Sequence, residues 1–108
     1  VLNEMVETRE VGIILKESDL PFSSGARGIA EVMGFDLLHV ASEGRMLLVC
    51  APEQASTVLK RWHNLPEGKG ACIIGTVSDN AGRVMLETVI GGRRLVDVPQ
   101  GELLPRIC

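Results

Sequence analysis

The chain has 108 residues, 45% of them hydrophobic and 23% charged, with a formal net charge of −3 and only two Phe and one Trp as aromatics. That length fits one domain, and area scaling puts its folded burial near ~65%, enough for a core without metal or disulfide staples. Apolar content excludes a disordered tail, no apolar run approaches the ~18 residues of a membrane span, and a mildly acidic chain without a basic cluster is a poor nucleic-acid binder.

Val1–Val6 places Leu2, Met5 and Val6 on one helical face with no capping residue before them, which reads as a helix continuing from a longer chain. Charges throughout Val1–Glu10 exclude a signal peptide. Val11–Lys16 is a short, almost wholly apolar strand, suited to burial on both faces. Pro21 and Ser23-Ser24 then open a helix whose apolar positions are Ala26, Ile29, Ala30 and Met33, with Gly34 as its C-terminal cap. Gly28 inside it points to a close helix–sheet contact.

Leu37–Val40 and Arg45–Cys50 form a hairpin joined by Ala41-Ser42-Glu43-Gly44, where Gly44 is free to take a positive φ. Pro52 starts a second helix with the stripe Ala55, Val58, Leu59 and Trp62, and the loop Asn64–Gly70 ends it. Ala71–Val77 is another apolar strand. Arg83–Ile90 alternates, Gly91-Gly92 is a two-residue turn, and Arg93–Val98 is the last strand. The order from residue 11 is β-α-β-β-α-β followed by a hairpin: an α+β, ferredoxin-like arrangement of helices on a mainly antiparallel sheet. Both β-α-β helices fall on one face, and the N-terminal helix covers part of the other. Residues 1–99 make the domain, and 100–108 a mobile tail.

Cys50, Cys72 and Cys108 are an odd, widely spaced set with no C-x-x-C, so neither zinc nor a disulfide framework is expected. Cys50 and Cys72 read as apolar fillers of strands, buried and unpaired. His39 and His63 have no second ligand at metal spacing and read as structural or surface residues. An RNA-recognition module would stack bases on strand aromatics, and neither Phe22 nor Phe35 lies in a strand. No glycine pattern makes a phosphate loop. A ligand-sensing regulatory domain without catalysis remains open on composition.

Two features stand apart. Glu43 lies in the turn Ser42-Glu43-Gly44-Arg45, where a solvated carboxylate beside Arg45 is the plain structural reading. The tail Gly101–Cys108 carries two leucines, an isoleucine, Pro105 and a terminal thiol, unlike the small polar residues of most frayed ends. An arm of that length reaches roughly 25 Å. The α-carboxylate raises the Cys108 thiol pKa by like-charge repulsion, and Arg106 or a receiving arginine offsets it.

The ending Pro105-Arg106-Ile107-Cys108 resembles that of the HypE family of hydrogenase maturation proteins. Ile90-Gly91-Gly92-Arg93-Arg94, Asp97-x-Pro99-x-Gly101-Glu102 and the Ala41-Ser42-Glu43-Gly44 turn match as well. Leu103 departs from the polar residue expected there. The resemblance covers the whole chain but only the C-terminal domain of that family, which belongs with aminoimidazole ribonucleotide synthetase and selenophosphate synthetase.

The resemblance implies a dehydratase, a lyase in the full-length protein, with the isolated fragment inactive. A carbamoyltransferase partner loads Cys108 with a carbamoyl group, ATP activates the amide oxygen, and loss of phosphate leaves a thiocyanate. Its cyanide passes to iron on a scaffold complex of further maturation proteins, for nickel–iron hydrogenase. Glu43 matches the family's base, with Arg106 and Pro105 positioning the tail. ATP with Mg falls to an N-terminal domain outside this chain, so no cofactor or metal is expected here. That domain makes the full-length protein a homodimer, which is expected in the cytoplasm, without nucleic-acid or membrane partners.

Overall fold

The computed structural model describes residues 1–97, which fall into two compact units. The first comprises Val1–Pro21 and Leu48–Val96 and contains the sheet. Its elements are helix α1 (Leu2–Val6), strand β1 (Gly12–Lys16), helix α3 (Pro52–His63) and strands β2 (Gly75–Ser78), β3 (Val84–Glu87) and β4 (Arg93–Leu95). Helix α2 (Ser24–Met33) belongs to the second unit, Phe22–Leu47 joined by Asp97.

The sheet runs β2-β1-β3-β4. β1 is antiparallel to β2 and parallel to β3, while β3 and β4 are antiparallel. Register pairs Ile13 with Val84 and Leu15 with Leu86, and the two-residue period of a strand turns all four to one face. These residues are buried, Val84 at 0% and Leu15 at 1% exposure. α1 packs against β1 and β3 on that core, contributing the buried Val6. Asn3 holds the helix down by donating Nδ2–H to the Val96 carbonyl at 3.0 Å. Each such aliphatic side chain, fully withdrawn from water, contributes roughly 1.5–3 kcal/mol, so this patch accounts for much of what holds a short helix to the sheet.

β1 is approached closely by its neighbours. A Cβ on Gly12 would meet the Asn80 and Arg83 carbonyl oxygens, and one on Gly75 would meet the Ile14 carbonyl oxygen. Those carbonyls are fixed by backbone bonds, among them Ile13 N–H to Arg83 O at 2.9 Å.

α3 starts at Pro52 as expected, and its stripe Ala55, Val58, Leu59 and Trp62 is the half-buried side of an otherwise exposed helix. His63 Nε2–H donates to the Ala71 carbonyl at 2.7 Å, closing the loop that follows. That loop holds Ala71–Cys72 out of the ladder, so β2 begins at Gly75 rather than at residue 71.

In the second unit, Ser23 caps α2 by accepting the Ala26 N–H at 3.1 Å, and Gly34 ends it at φ 74°. Ala30 is its buried residue, while Ile29 and Met33 of the same apolar stripe are exposed. The Arg27 guanidinium lies 5.5 Å from the centroid of the Phe22 ring.

The α+β class and the mainly antiparallel sheet hold, two of three ladders being antiparallel. Two local expectations are corrected. Leu37–His39 is a 3₁₀ turn and Arg45–Cys50 pairs with no strand among the described residues, so the central hairpin is not formed as a ladder. The Asp36 carboxylate accepts the Leu38 N–H at 3.0 Å, drawing the backbone into a turn in place of an extended strand. The last hairpin closes through Thr88–Gly92 instead of Gly91-Gly92 alone. Glu87 pairs with Arg93, and Thr88 donates both N–H and Oγ1–H to the Gly92 carbonyl, at 2.7 and 3.1 Å. Gly91 at φ 89° supplies the left-handed residue this loop needs, and Val89 donates its N–H to the Glu17 carboxylate at 3.1 Å.

Candidate functional site

The turn that carries Glu43 is built by its neighbours. Gly44 sits at φ 74°, in the left-handed region, as the Glu-Gly pair predicts. Arg45 donates its Nε–H to Ser42 Oγ at 2.7 Å, bridging the turn from one side to the other. The plain reading sets the Glu43 carboxylate beside Arg45, but Glu43 is not among the ion-paired residues seen here, such as Glu4 with the N-terminus and Glu87 with Arg93. Glu43 is also exposed. An ionised carboxylate can accept through both oxygens, and no ion pair among the described residues engages this one. The turn therefore offers a proton acceptor with its basic neighbour tied to a hydroxyl.

Upstream, a tightly hydrogen-bonded turn sets the orientation of His39. Asp36 takes the Leu38 N–H through its side chain and the His39 N–H through its carbonyl at 3.0 Å, and Val40 N–H reaches Leu37 O at 3.3 Å. The His39 ring then meets the Asp97 carbonyl, 58 positions along the chain, at 3.0 Å from Nε2. A carbonyl only accepts, so Nε2 carries the proton. From the sequence His39 reads as a structural or surface residue, and no local pattern signals a bond across that separation.

Cys50 and Cys72 are free thiols, as expected, but both are exposed rather than buried in strands. The reason is the unpaired Arg45–Cys50 segment and the late start of β2, which leave neither thiol inside the sheet. Cys72 Sγ lies 3.5 Å from the Asp19 carbonyl. Cys108, Arg106 and Pro105, together with the boundary after residue 99, lie outside the described residues. Among the described residues no group of three His, Cys, Asp or Glu could hold a metal ion. No helix among them is long and apolar enough to cross a membrane.

Comparison with known proteins gives these residues a context. The family profile described as AIR synthase related protein, C-terminal domain, matches residues 1–87. A protein of Rhodobacter capsulatus named carbamoyl dehydratase HypE is 40% identical over 108 residues, covering 99% of this chain and 32% of its own length. The HypE of a crystal structure of a HypE–HypF complex is 36% identical with a TM-score of 0.84, covering 91% of this chain and 32% of that one. The hydrogenase maturation protein HypE crystallised in complex with ATP is 32% identical with a TM-score of 0.87, covering 99% of this chain and 33% of that one. The chain thus spans about a third of the length of the relatives it matches. Over that third, sequence and fold agree with the HypE proteins, and the chain belongs to the family of AIR synthase related protein C-terminal domains.

Proposed function

We propose that this chain works as the C-terminal part of a HypE-type carbamoyl dehydratase, with Cys108 as the carrier thiol and Glu43 as the base. The observation that supports the reading most is the 40% identity, over 99% of the chain, to a carbamoyl dehydratase HypE. A partner of the HypF kind, seen with HypE in the complex above, would supply the carbamoyl group.

The Cys108 thiolate attacks the carbamoyl carbon. The new S–C bond forms as the donor's leaving group departs with the bonding pair, giving an S-carboxamide. ATP, bound to a related HypE, would supply the phosphoryl group: the amide oxygen takes it as ADP departs and one N–H proton passes to solvent, which turns that oxygen into a leaving group. Glu43 then takes the remaining N–H proton; the nitrogen lone pair closes the C≡N bond while the C–O bond breaks and phosphate leaves. The net change is loss of one water from the carboxamide, with no oxidant or reductant. Arg106 offsets the α-carboxylate, and Pro105 stiffens the approach of the arm. The cyano group on Cys108 would then pass to iron on a scaffold complex, for nickel–iron hydrogenase: the S–C bond breaks with its pair on sulfur, and the iron centre supplies the two electrons of the new Fe–C bond. A cytoplasmic setting goes with a thiol that must stay reduced.

The test uses the longer protein with its carbamoyl-donating partner, carbamoyl phosphate and ATP. The C-terminal peptide gains about 43 Da as carbamoyl and then about 25 Da as cyanide, both on the thiol. Cys108→Ala removes both adducts. Glu43→Gln keeps the first and slows the second. A carbamoyl adduct persisting in Cys108→Ala refutes the carrier, and wild-type dehydration in Glu43→Gln refutes the base.

A further inference from the structure

We infer that Ser42 is a positioning residue for the dehydration step: by holding the Arg45 guanidinium at Nε, it keeps that cation off Glu43 and leaves the carboxylate open to the proton it takes. The inference rests on the role given to Glu43 above. Its geometric basis is the 2.7 Å bond from Arg45 Nε–H to Ser42 Oγ, which closes the turn around Glu43. Gly44, left-handed at φ 74°, lies inside the closed turn. No ion pair among the described residues engages Glu43, and Ser42, Glu43 and Arg45 are all exposed.

Without that bond the guanidinium has a partner at hand. Glu43 and Arg45 stand two positions apart, at most about 7 Å between their Cα atoms, and the two side chains are long enough to close that gap. Opposite charges at such a distance attract unless one of them is held elsewhere. A guanidinium carries its five N–H donors on one rigid plane, so a bond at Nε sets the direction of all of them together. The serine hydroxyl accepts that bond without adding a negative charge to the turn. A carboxylate paired with a cation is a poorer proton acceptor, because protonation gives up the pairing. The hydroxyl therefore preserves the one property that a base needs. Loading of the thiol makes no demand on Glu43, so the effect is confined to the loss of water.

The experiment follows carbamoyl loading and dehydration by single-turnover mass analysis, in the longer protein with its carbamoyl-donating partner, in Ser42→Ala, Ser42→Thr and Ser42→Ala/Arg45→Ala. Ser42→Ala should dehydrate the carboxamide about two- to fivefold more slowly, the range an exposed ion pair supports, with loading unchanged. Ser42→Thr should restore the rate, because its hydroxyl accepts the same bond. Ser42→Ala/Arg45→Ala should restore it too, since no released cation remains. Raising the ionic strength should narrow the Ser42→Ala defect, as screening weakens the new pair. Wild-type dehydration in Ser42→Ala overturns the inference. A double variant as slow as Ser42→Ala also overturns it, because the bond then merely braces the turn, and so does an equal loss of loading and dehydration. In Glu43→Gln, which has no carboxylate to pair, adding Ser42→Ala should slow dehydration no further; a further loss refutes action through Glu43. A slow Glu43→Gln beside a wild-type Ser42→Ala overturns the role of Ser42 alone, whereas a wild-type Glu43→Gln removes the base and the inference together.

Discussion

Replacing Leu15 with alanine tests the account of the core most directly. Leu15 is 1% exposed, the fourth of the five residues of β1, paired with Leu86 on one side and with Gly75 on the other. Removing three carbon groups loses roughly 0.8 kcal/mol each from burial, about 2.4 kcal/mol in all. A cavity penalty adds to this, and its size depends on how far the surroundings relax. Gly75 has no side chain to move into the void, and its backbone is held against the Ile14 carbonyl. The cost therefore falls in the upper part of the range for such changes, about 3–4.5 kcal/mol. In a domain of this size that lowers Tm by roughly 12–36 °C. Urea denaturation monitored by circular dichroism reads the loss directly, as a fall in midpoint with an unchanged slope. Filling the space from the neighbour fails, because a Cβ at Gly75 meets backbone; Leu15→Ala/Gly75→Ala should be no more stable than Leu15→Ala. A loss below about 1 kcal/mol, well under the usual range for a buried leucine, or recovery in the double variant, would refute the packing argument.

Ser23→Ala should cost about 1 kcal/mol in the same assay, since it removes the side-chain acceptor for the Ala26 N–H at the start of α2; a change under a few tenths would mean that water caps the helix as well as serine does. Cys50 and Cys72 should both react with a thiol reagent in the native protein, being exposed; protection of either thiol without denaturant would contradict the structure.

Where local chemistry decides the backbone, the sequence is readable. Ser23 and Gly34 frame α2, Pro52 opens α3, and the alternation of Val84 and Leu86 with Met85 and Glu87 yields a strand buried on one face. Where a short apolar run can be claimed by more than one element, it is not. Leu37-Leu38-His39-Val40 reads as a strand until Asp36 bonds the Leu38 N–H and curls it. Arg45–Cys50 reads as its hairpin partner, but once Leu37–His39 curls there is no strand for it to pair with, and it joins no ladder among the described residues. The candidate site divides in the same way. Glu43 and its glycine are visible because turn chemistry is local. Ser42 holding Arg45 is one of two plausible pairings, and His39 meeting Asp97 leaves no trace in local spacing.

The central place of β1 in the sheet governs how the chain acquires its structure during synthesis. Ile14 pairs with Thr76 and Met85, sixty-two and seventy-one residues further on. Both edges of β1 therefore stay open while roughly 3–12 s of chain elongation pass at ~5–20 residues per second. Contacts of such long range slow folding, because the loop must close before the pairing is rewarded. During that interval the apolar Ile13-Ile14-Leu15 segment is an unpaired edge, the kind of surface that invites association with other nascent chains. Its protection comes late, β2 being the first partner the chain supplies for one edge and β3 the next, for the other.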